Sequence, residues 1–304
     1  MTKIRFCIYF YLYILSLYTA VTRCMKRVSI KMSQESQKII SIIRHGRTEM
    51  NEVLSKHRWG DPNFNDAELW DTRLTDIGQS QARQLNALIR DPNSKYAHLL
   101  EAELIVSSPL SRAIHTSQLA FSQTRLFHEE TISSLPTSSS SSSSSSTSLH
   151  SSSKRSKITK PPPLRLVHPL ASERVYLSSD TGRPHGELKE EFPHWDYSLL
   201  PTDDKWWFQH PTFEPQRIKK GESVDSYVEW RPEGYYAVAG EPTEVFRDRM
   251  RALRAWLLSR PERHIVVVCH WGVARALSGL ELANCEVKTL TAEEILLHPF
   301  IDDE

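Results

Sequence analysis

The alternation of apolar and polar positions predicts a repeated strand-then-helix order from residue 39 onward. The β-branched, apolar run Ile39–Ile43 is typical of a buried strand, and "AELIVSS" and "HIVVVC" are two further short runs of this kind. Between the first two strands, the segment "LTDIGQSQARQLNALIR" has apolar residues at mostly helical spacing: Ile77, Ala82, Leu85 and Ile89.

Two more helices are predicted after the second and before the last of these strands. The segment "PLSRAIHTSQLAF" starts a helix with Pro109 near its first turn. The segment "TEVFRDRMRALRAWLLS" places four apolar residues on one helical face: Phe246, Met250, Leu253 and Leu257. Strands that alternate with helices predict an α/β domain, with a mainly parallel sheet flanked by helices.

A serine-rich stretch interrupts the predicted domain. Residues 123–163 include the unbroken run Ser138–Ser146, the basic patch "KRSK" and three prolines before Leu164. This composition buries little apolar surface, so we expect a disordered insertion. The basic patch is interpreted as part of a solvated loop, with a targeting or docking signal as the alternative. The domain is predicted over residues 36–290, with 123–163 as the insertion.

The first 24 residues form a hydrophobic leader. An uncharged apolar stretch from Phe6 to Val21 lies between basic residues, and its length of about 16 residues suits a signal-peptide core better than a membrane span of roughly 20. The cleavage-site pattern is met only loosely, so an uncleaved anchor is an alternative. In a third interpretation, translation starts at Met32 and the protein is cytoplasmic. The expected location is otherwise the secretory pathway or a membrane, through the leader.

Charge and cysteine content exclude several classes of protein. A formal net charge of +1 over 304 residues gives no reason to expect a nucleic-acid partner. The four cysteines do not have zinc-site spacing, and two of them, Cys7 and Cys24, lie in the leader. We therefore expect no metal site, no cofactor and no disulfide framework.

Cationic side chains follow the predicted strands at the points where those strands end. Arg44, His45 and Arg47 come directly after the first strand, Arg112 follows the second and His270 follows the last. The carboxyl ends of parallel strands meet at one edge of a sheet, where ligands bind. Guanidinium groups match phosphate oxygens two at a time, so the pattern predicts a phosphate pocket.

The same residues suggest covalent chemistry. A neutral imidazole is a nucleophile, and nearby arginines favour the neutral form while stabilising a transferring phosphoryl group. Such a mechanism also requires an acid for the leaving alcohol. Glu173, in "PLASERV", is the carboxylate we select, because it follows a short apolar stretch where the ordered chain resumes.

Five segments taken together resemble the histidine phosphatase superfamily, in its phosphoglycerate-mutase-like branch. They are "RHGRTEMN", "LTDIGQSQA", "SSPLSRAIHTS", "ASERV" and "VVVCHWG", and the resemblance spans about residues 39–280 apart from the insertion. The resemblance implies that His45 is the phosphate-accepting nucleophile. It implies that Arg44, Arg112 and His270 complete the phosphate pocket.

The resemblance also assigns less uniform positions. Asn51 matches the family's asparagine near the phosphate, and Glu173 corresponds to the proton donor. Arg47 falls where many members have a glutamate, and is expected at the pocket rim; a surface ion pair with Glu49 or Glu52 is the alternative. Trp271 replaces a common glycine and is expected to narrow the entrance.

Two other groups of residues leave alternatives open. Arg183 and His185 either line the substrate side of the pocket or lie in a turn exposed to water. Four tryptophans are interpreted as a packed lid rather than a specific binder: Trp195, Trp206, Trp207 and Trp230.

The predicted function is that of a metal-independent phosphomonoester phosphatase that acts through phosphohistidine. Its partner would be a phosphorylated small molecule, with a phosphoprotein as an alternative. A phosphoglycerate-type mutase is the second candidate, disfavoured because Arg47 and Arg183 are the only added cations that the motifs suggest. A catalytically silent phosphate-binding scaffold is the third.

Overall fold

A computed structural model describes residues 38–57, 61–127, 162–202, 204–210, 213–219 and 233–298. The strands in these ranges are β1 (Ile39–Arg44), β2 (Leu104–Ser107), β3 (Leu164–Val167), β4 (Gln216–Ile218), β5 (Gly234–Tyr236), β6 (His264–Cys269) and β7 (Val287–Thr291). The α-helices are α1 (Glu49–Leu54), α2 (Asp76–Arg90), α3 (Ser111–Phe121), α4 (His185–Glu191), α5 (Thr243–Ser259), α6 (Trp271–Ser278) and α7 (Ala292–Leu297). Short 3-10 helices span Ala97–Glu101, Pro169–Ala171 and Ser178–Asp180.

Among the described residues, the main sheet has five strands in the order β3-β2-β6-β1-β7. The pairs β3–β2, β2–β6 and β6–β1 are parallel, and only the edge strand β7 runs antiparallel to its neighbour β1. Strands β4 and β5 form a separate antiparallel pair. The predicted α/β fold with a mainly parallel sheet is therefore confirmed.

The register of the three central strands aligns their carboxyl ends. Arg44 at the end of β1 pairs with Cys269 at the end of β6, and Ser107 at the end of β2 pairs with Val268. The residues that follow each strand, among them His45 and His270, therefore leave the sheet side by side.

Side chains from the central strands alternate between two apolar layers. Ile43, Val266 and Val268 pack against α2 and α3, and their neighbours Ile42 and Val267 pack against α5 and α6. Such near-continuous apolar strands are what a parallel sheet covered on both faces requires.

Two glycines of the sequence motifs touch each other. A Cβ atom on Gly46 would lie 2.6 Å from the carbonyl oxygen of Gly78, and a Cβ atom on Gly78 would lie 2.0 Å from the carbonyl oxygen of Arg47. The amino end of α2 thus packs directly on the turn after β1, at a distance that no side chain allows. This contact explains why both the "RHG" and the "LTDIG" segments need their glycine.

The same contact corrects one predicted core position. Ile77 is 52% exposed, whereas Ala82, Leu85 and Ile89 are buried as predicted. Gly78 occupies the inward-facing position of the first turn of α2, and Ile77, one residue earlier, lies about 100° around the helix.

The predicted insertion begins too early. Thr124 and Leu126 are buried, and the ring of Phe127 packs edge-on against Trp195. Residues 123–127 therefore belong to the packed domain, and 128–161, with the serine run, lie outside the described residues. The hydrophobic leader also lies outside them. Within the described ranges, no helix combines the length and apolar character needed to cross a membrane.

We predict that Gly78→Ala lowers the free energy of unfolding by about 1–3 kcal/mol, because the added methyl group overpacks a backbone-to-backbone contact. Gly186→Ala is the matched control. Gly186 also lies in a helix, α4, but nothing is within 4 Å of its Cβ position. The control should be neutral or up to about 1 kcal/mol more stable. Equal denaturation midpoints for the two variants would contradict the proposed role of the contact.

Candidate active site

His45 lies at the base of a cavity, directly after β1. Its side chain is buried, and its Nδ1 atom lies 2.7 Å from the carbonyl oxygen of Gly46. Because a carbonyl oxygen only accepts, Nδ1 carries the proton and Nε2 has a free lone pair. Burial, followed by the charges of Arg112 and Arg44, holds the pKa of His45 well below its usual range. The imidazole is therefore neutral near pH 7.

Arg112, the second residue of α3, is a buried guanidinium with three protein partners. Its Nε donates to Nδ1 of His270 at 3.2 Å, and its two terminal nitrogens donate to the carbonyl oxygen of Ser179 at 2.5 Å and to Oδ1 of Asp180 at 3.1 Å. A buried charge needs such pairing to offset its desolvation. These bonds fix the orientation of the guanidinium at the cavity.

His270 is fully buried behind His45, with the two ring centroids 5.1 Å apart. Since Nδ1 accepts from Arg112, the proton lies on Nε2, which donates to Oγ of Ser108 at 2.7 Å. Burial and the neighbouring Arg112, His45 and Arg44 lower the pKa of His270 well below its usual range. His270 contacts Arg112 rather than the space of the cavity itself.

Arg44 contributes a second guanidinium to the cavity. One terminal nitrogen donates to the carbonyl oxygen of Leu282 at 2.8 Å. Its Nε is buried without a hydrogen-bond partner among the described residues. Burial, more than any neighbouring charge, lowers the pKa of Arg44 below its usual value. A buried donor of this kind is costly until an acceptor is bound.

Glu173 reaches the cavity from the segment after β3. Its two carboxylate oxygens accept from the backbone nitrogens of Arg174 at 2.9 Å and Gly272 at 3.1 Å. A Cβ atom on Gly272 would lie 2.6 Å from the carboxylate, so only glycine leaves room for it at the amino end of α6. Burial, and then the negative charge of Asp180, raise the pKa of Glu173 above its usual value.

Asn51 lines the cavity from α1. Its Oδ1 accepts from the backbone nitrogen of Thr48 at 3.1 Å, which closes the amino end of α1. The same oxygen accepts from Nδ2 of Asn284 at 3.3 Å, and Asn284 also donates to the carbonyl oxygen of His45 at 2.9 Å. Asn284 therefore ties Asn51 to the turn that carries His45, a role that no sequence motif indicated.

Three of the expected residues lie away from the cavity. The guanidinium of Arg47 pairs with Glu52 at 3.3 Å, so its placement fits the surface ion-pair alternative rather than the pocket rim. Arg183 donates to Asp71 at 2.8 Å, and His185 pairs with Asp204 at 2.7 Å.

The tryptophans expected to form a lid are packed in the interior. Trp195 and Trp206 are buried in the apolar layer beside α3, and Trp207 packs against it. Trp230 lies outside the described residues.

The cavity has a volume of about 640 Å³ and brings five of the seven predicted site residues to one space or its immediate wall: Arg44, His45, Asn51, Arg112 and Glu173. Three arginines that were not predicted line it as well: Arg174, Arg247 and Arg275. Arg247 lies three residues before Met250, and Arg275 lies four residues after Trp271. This helical spacing places each arginine on the same helix face as an apolar residue of the cavity, and could have indicated both arginines from the sequence. The expectation of few added cations is therefore wrong.

Across the described ranges, no group of three or more His, Cys, Asp or Glu residues is arranged to hold a metal ion.

We predict that Asp180→Asn lowers the pKa of Glu173, because removing a nearby negative charge makes the ionised carboxylate less costly. Carboxyl-carbon NMR titration of the wild-type protein and of the variant measures this change. Glu262 is the internal control. Burial alone would raise the pKa of Glu262, but hydrogen bonds from Arg260 hold this pKa below its usual range. The pKa of Glu262 should be the same in the wild-type protein and in the variant. An unchanged pKa of Glu173 would show that Asp180 does not act on it.

Comparisons with known proteins were made by sequence and by structure. No curated protein matches the chain in sequence. An alpha-ribazole phosphatase from Shigella flexneri is 18% identical, with 83% of this chain and 89% of that chain covered and a TM-score of 0.38. A phosphoglycerate mutase from Thermus thermophilus is 16% identical, with 83% and 92% covered and a TM-score of 0.35. At these scores the likeness does not bear on activity.

The family comparison matches a definite part of the chain. The family model described as the histidine phosphatase superfamily (branch 1) matches residues 40–132, which contain β1, α1, α2, β2 and α3. This range includes His45 and Arg112. The resemblance to the histidine phosphatase superfamily that the motifs predict is thereby confirmed for this part of the chain.

Proposed function

We propose that the protein is a phosphomonoester phosphatase that acts through a phosphohistidine at His45 and needs no metal ion. The observation that carries the proposal is the state of His45 in the cavity: a buried, neutral imidazole with Nδ1 bonded to Gly46 and Nε2 left as a nucleophile. Arg44 and Arg112 line the same cavity and supply the charge that a phosphate group requires.

In the first step, Nε2 of His45 attacks phosphorus and the bond from phosphorus to the leaving oxygen breaks. Glu173 gives its proton to that oxygen. The raised pKa of Glu173 supports this role, because it keeps the carboxyl protonated to higher pH than usual. The guanidiniums of Arg44 and Arg112 stabilise the charge on the transferring group, which is spread over three oxygens.

In the second step, the Glu173 carboxylate takes a proton from water, and the water oxygen attacks phosphorus. The phosphorus–nitrogen bond breaks, inorganic phosphate leaves and neutral His45 is restored. His270 acts as a positioning residue in this scheme, because its contacts are with Arg112 and with Ser108.

A phosphoglycerate-type mutase remains the second candidate for a specific reason. Arg174, Arg247 and Arg275 line the cavity beyond the phosphate group's site, and a bisphosphate intermediate needs extra cations. A mutase returns the phosphoryl group to the substrate rather than to water. Formation of 2-phosphoglycerate from 3-phosphoglycerate would favour the mutase, whereas release of inorganic phosphate from a phosphomonoester, with no 2-isomer formed from 3-phosphoglycerate, would favour the phosphatase.

We predict that Glu173→Gln separates the two steps of the reaction. With an alkyl phosphate the rate should fall roughly 10²–10⁴-fold, because the alkoxide cannot leave without a proton. With p-nitrophenyl phosphate, whose leaving group is stable, a burst of one nitrophenol per site should precede slow turnover. Stopped-flow absorbance in the presence of EDTA measures both.

Two further variants control this experiment. His45→Ala should give neither burst nor turnover. Glu187→Gln replaces a carboxylate on α4 that is 55% exposed and paired with Arg183, and it should behave as the wild type. Turnover by His45→Ala would exclude the phosphohistidine mechanism. An equal loss with both substrates and no burst in Glu173→Gln would show that Glu173 only positions other groups.

A further inference from the structure

The cavity is much larger than a phosphate group, and its second wall is apolar. His45, Arg44 and Arg112 form the cationic base, and a second wall comes from α1, the segment after Glu173, α5 and α6. The apolar side chains of this wall are Met50, Tyr176, Leu177, Phe246, Met250 and Trp271. A phosphomonoester whose phosphate lies on the cationic base must place its leaving group against this wall.

The wall does not suit a leaving group rich in hydroxyls. Among the described residues of this wall most side chains are apolar, with Met50 and Met250 almost fully buried and Phe246 half-buried. Its polar side chains include Thr243 and the three additional arginines. Hydroxyls of a sugar or of glycerate would lose water there without gaining hydrogen bonds. The binding of an aromatic ring would be favoured by burial of its apolar surface, by edge contacts with the rings of the wall, and by contacts with the sulfur atoms of the two methionines.

The additional arginines are engaged with other groups of the protein, two of them with rings of the wall. The guanidinium of Arg174 lies 4.6 Å from the ring centre of Tyr176 and also donates to the carbonyl oxygen of Glu241 and to Oγ1 of Thr243. A guanidinium over a ring face holds that ring in place.

The other two arginines are engaged in a similar way. The guanidinium of Arg275 lies 5.3 Å from the ring centre of Trp271, and Arg247 pairs with the carboxylate of Glu244. Each of these guanidiniums thus already has a contact within the protein, and a second phosphate group would have to compete with it.

We infer that the substrates are phosphomonoesters of aromatic or otherwise largely apolar alcohols, whose leaving group lies on the wall formed by Phe246 and Trp271. The inference rests on the proposed function, because it assigns the phosphate to the base of the same cavity. It also assigns a use to Trp271, which is 37% exposed at the rim.

A matched substrate pair tests the preference during turnover. Both 2-phenylethyl phosphate and glycerol 3-phosphate release an alkoxide, so their need for a proton donor is similar and the comparison isolates the wall. The kcat/KM of the phenylethyl ester should be higher by about 10- to 100-fold, the gain expected from burying one ring. Equal values, or a preference for the glycerol ester, would overturn the inference and leave the proposed function intact.

Two variants locate the preference. Trp271→Ala should reduce the ratio of the two kcat/KM values by roughly tenfold, because it removes a ring from the wall. Trp70→Ala is the matched control, since Trp70 is 52% exposed and is not among the described residues that line this cavity. A ratio that Trp271→Ala leaves unchanged would contradict the assignment of the leaving group to this wall.

Binding without turnover separates the inference from the proposed function. Calorimetry with 2-phenylethylphosphonate and methylphosphonate, which cannot be hydrolysed at the ester position, should give about 10- to 100-fold tighter binding of the first. If that difference is seen but no phosphomonoester is turned over, the proposed function fails and the apolar ligand site stands. If the two phosphonates bind equally, the inferred substrate class is wrong.

Discussion

The buried guanidinium of Arg112 joins the separate segments that build the site. Arg112 lies at the amino end of α3, and it bonds to His270 after β6 and to Ser179 and Asp180 in the segment after β3. Its side chain is almost completely removed from water, so leaving it without partners would cost about 3–5 kcal/mol. The three segments must therefore keep their relative positions for the charge to be tolerated, and the cavity is held open in one shape.

The same charge sets the protonation of its neighbours. Three cationic or potentially cationic groups, Arg44, Arg112 and His45, lie close together in a buried site, and the imidazole is the one that can lose its charge. Asp180 pairs with Arg112 and acts in the opposite direction on Glu173, whose pKa is raised by burial and by that carboxylate. A neutral imidazole beside a carboxyl group with a raised pKa is the combination that suits a nucleophile and a general acid.

Much of the fold could be predicted from the sequence, because the strands are short β-branched runs and the motif glycines Gly46 and Gly78 are required by a close backbone contact. The order of β1, α2, β2, α3, α5 and β6 follows from periodicity. His45 and Arg112 follow from the carboxyl ends of β1 and β2, which lie on either side of β6. The antiparallel edge strand β7 was missed, since its residues are mixed in polarity and are only partly buried.

The remaining site residues depend on tertiary contacts that carry no local pattern. Arg47 stands beside His45 in sequence but turns toward Glu52. Asn284, in contrast, reaches the site from the far end of the chain. Phe246 is predicted on the apolar face of α5, and it both packs against the apolar layer and lines the cavity. Periodicity can assign such a residue to one face of a helix. It cannot show whether the side chain packs against another element or lines a cavity.

The proposed mechanism depends on phosphorylation of one particular atom of the protein. Phosphorus NMR of the enzyme, quenched in alkali during turnover of a phosphomonoester and digested to peptides, identifies that atom. The bond between Nδ1 of His45 and the carbonyl oxygen of Gly46 leaves only Nε2 available, so the account predicts phosphate on Nε2 of His45. Phosphate on Nδ1, or an acid-stable ester on a serine such as Ser108, would contradict it.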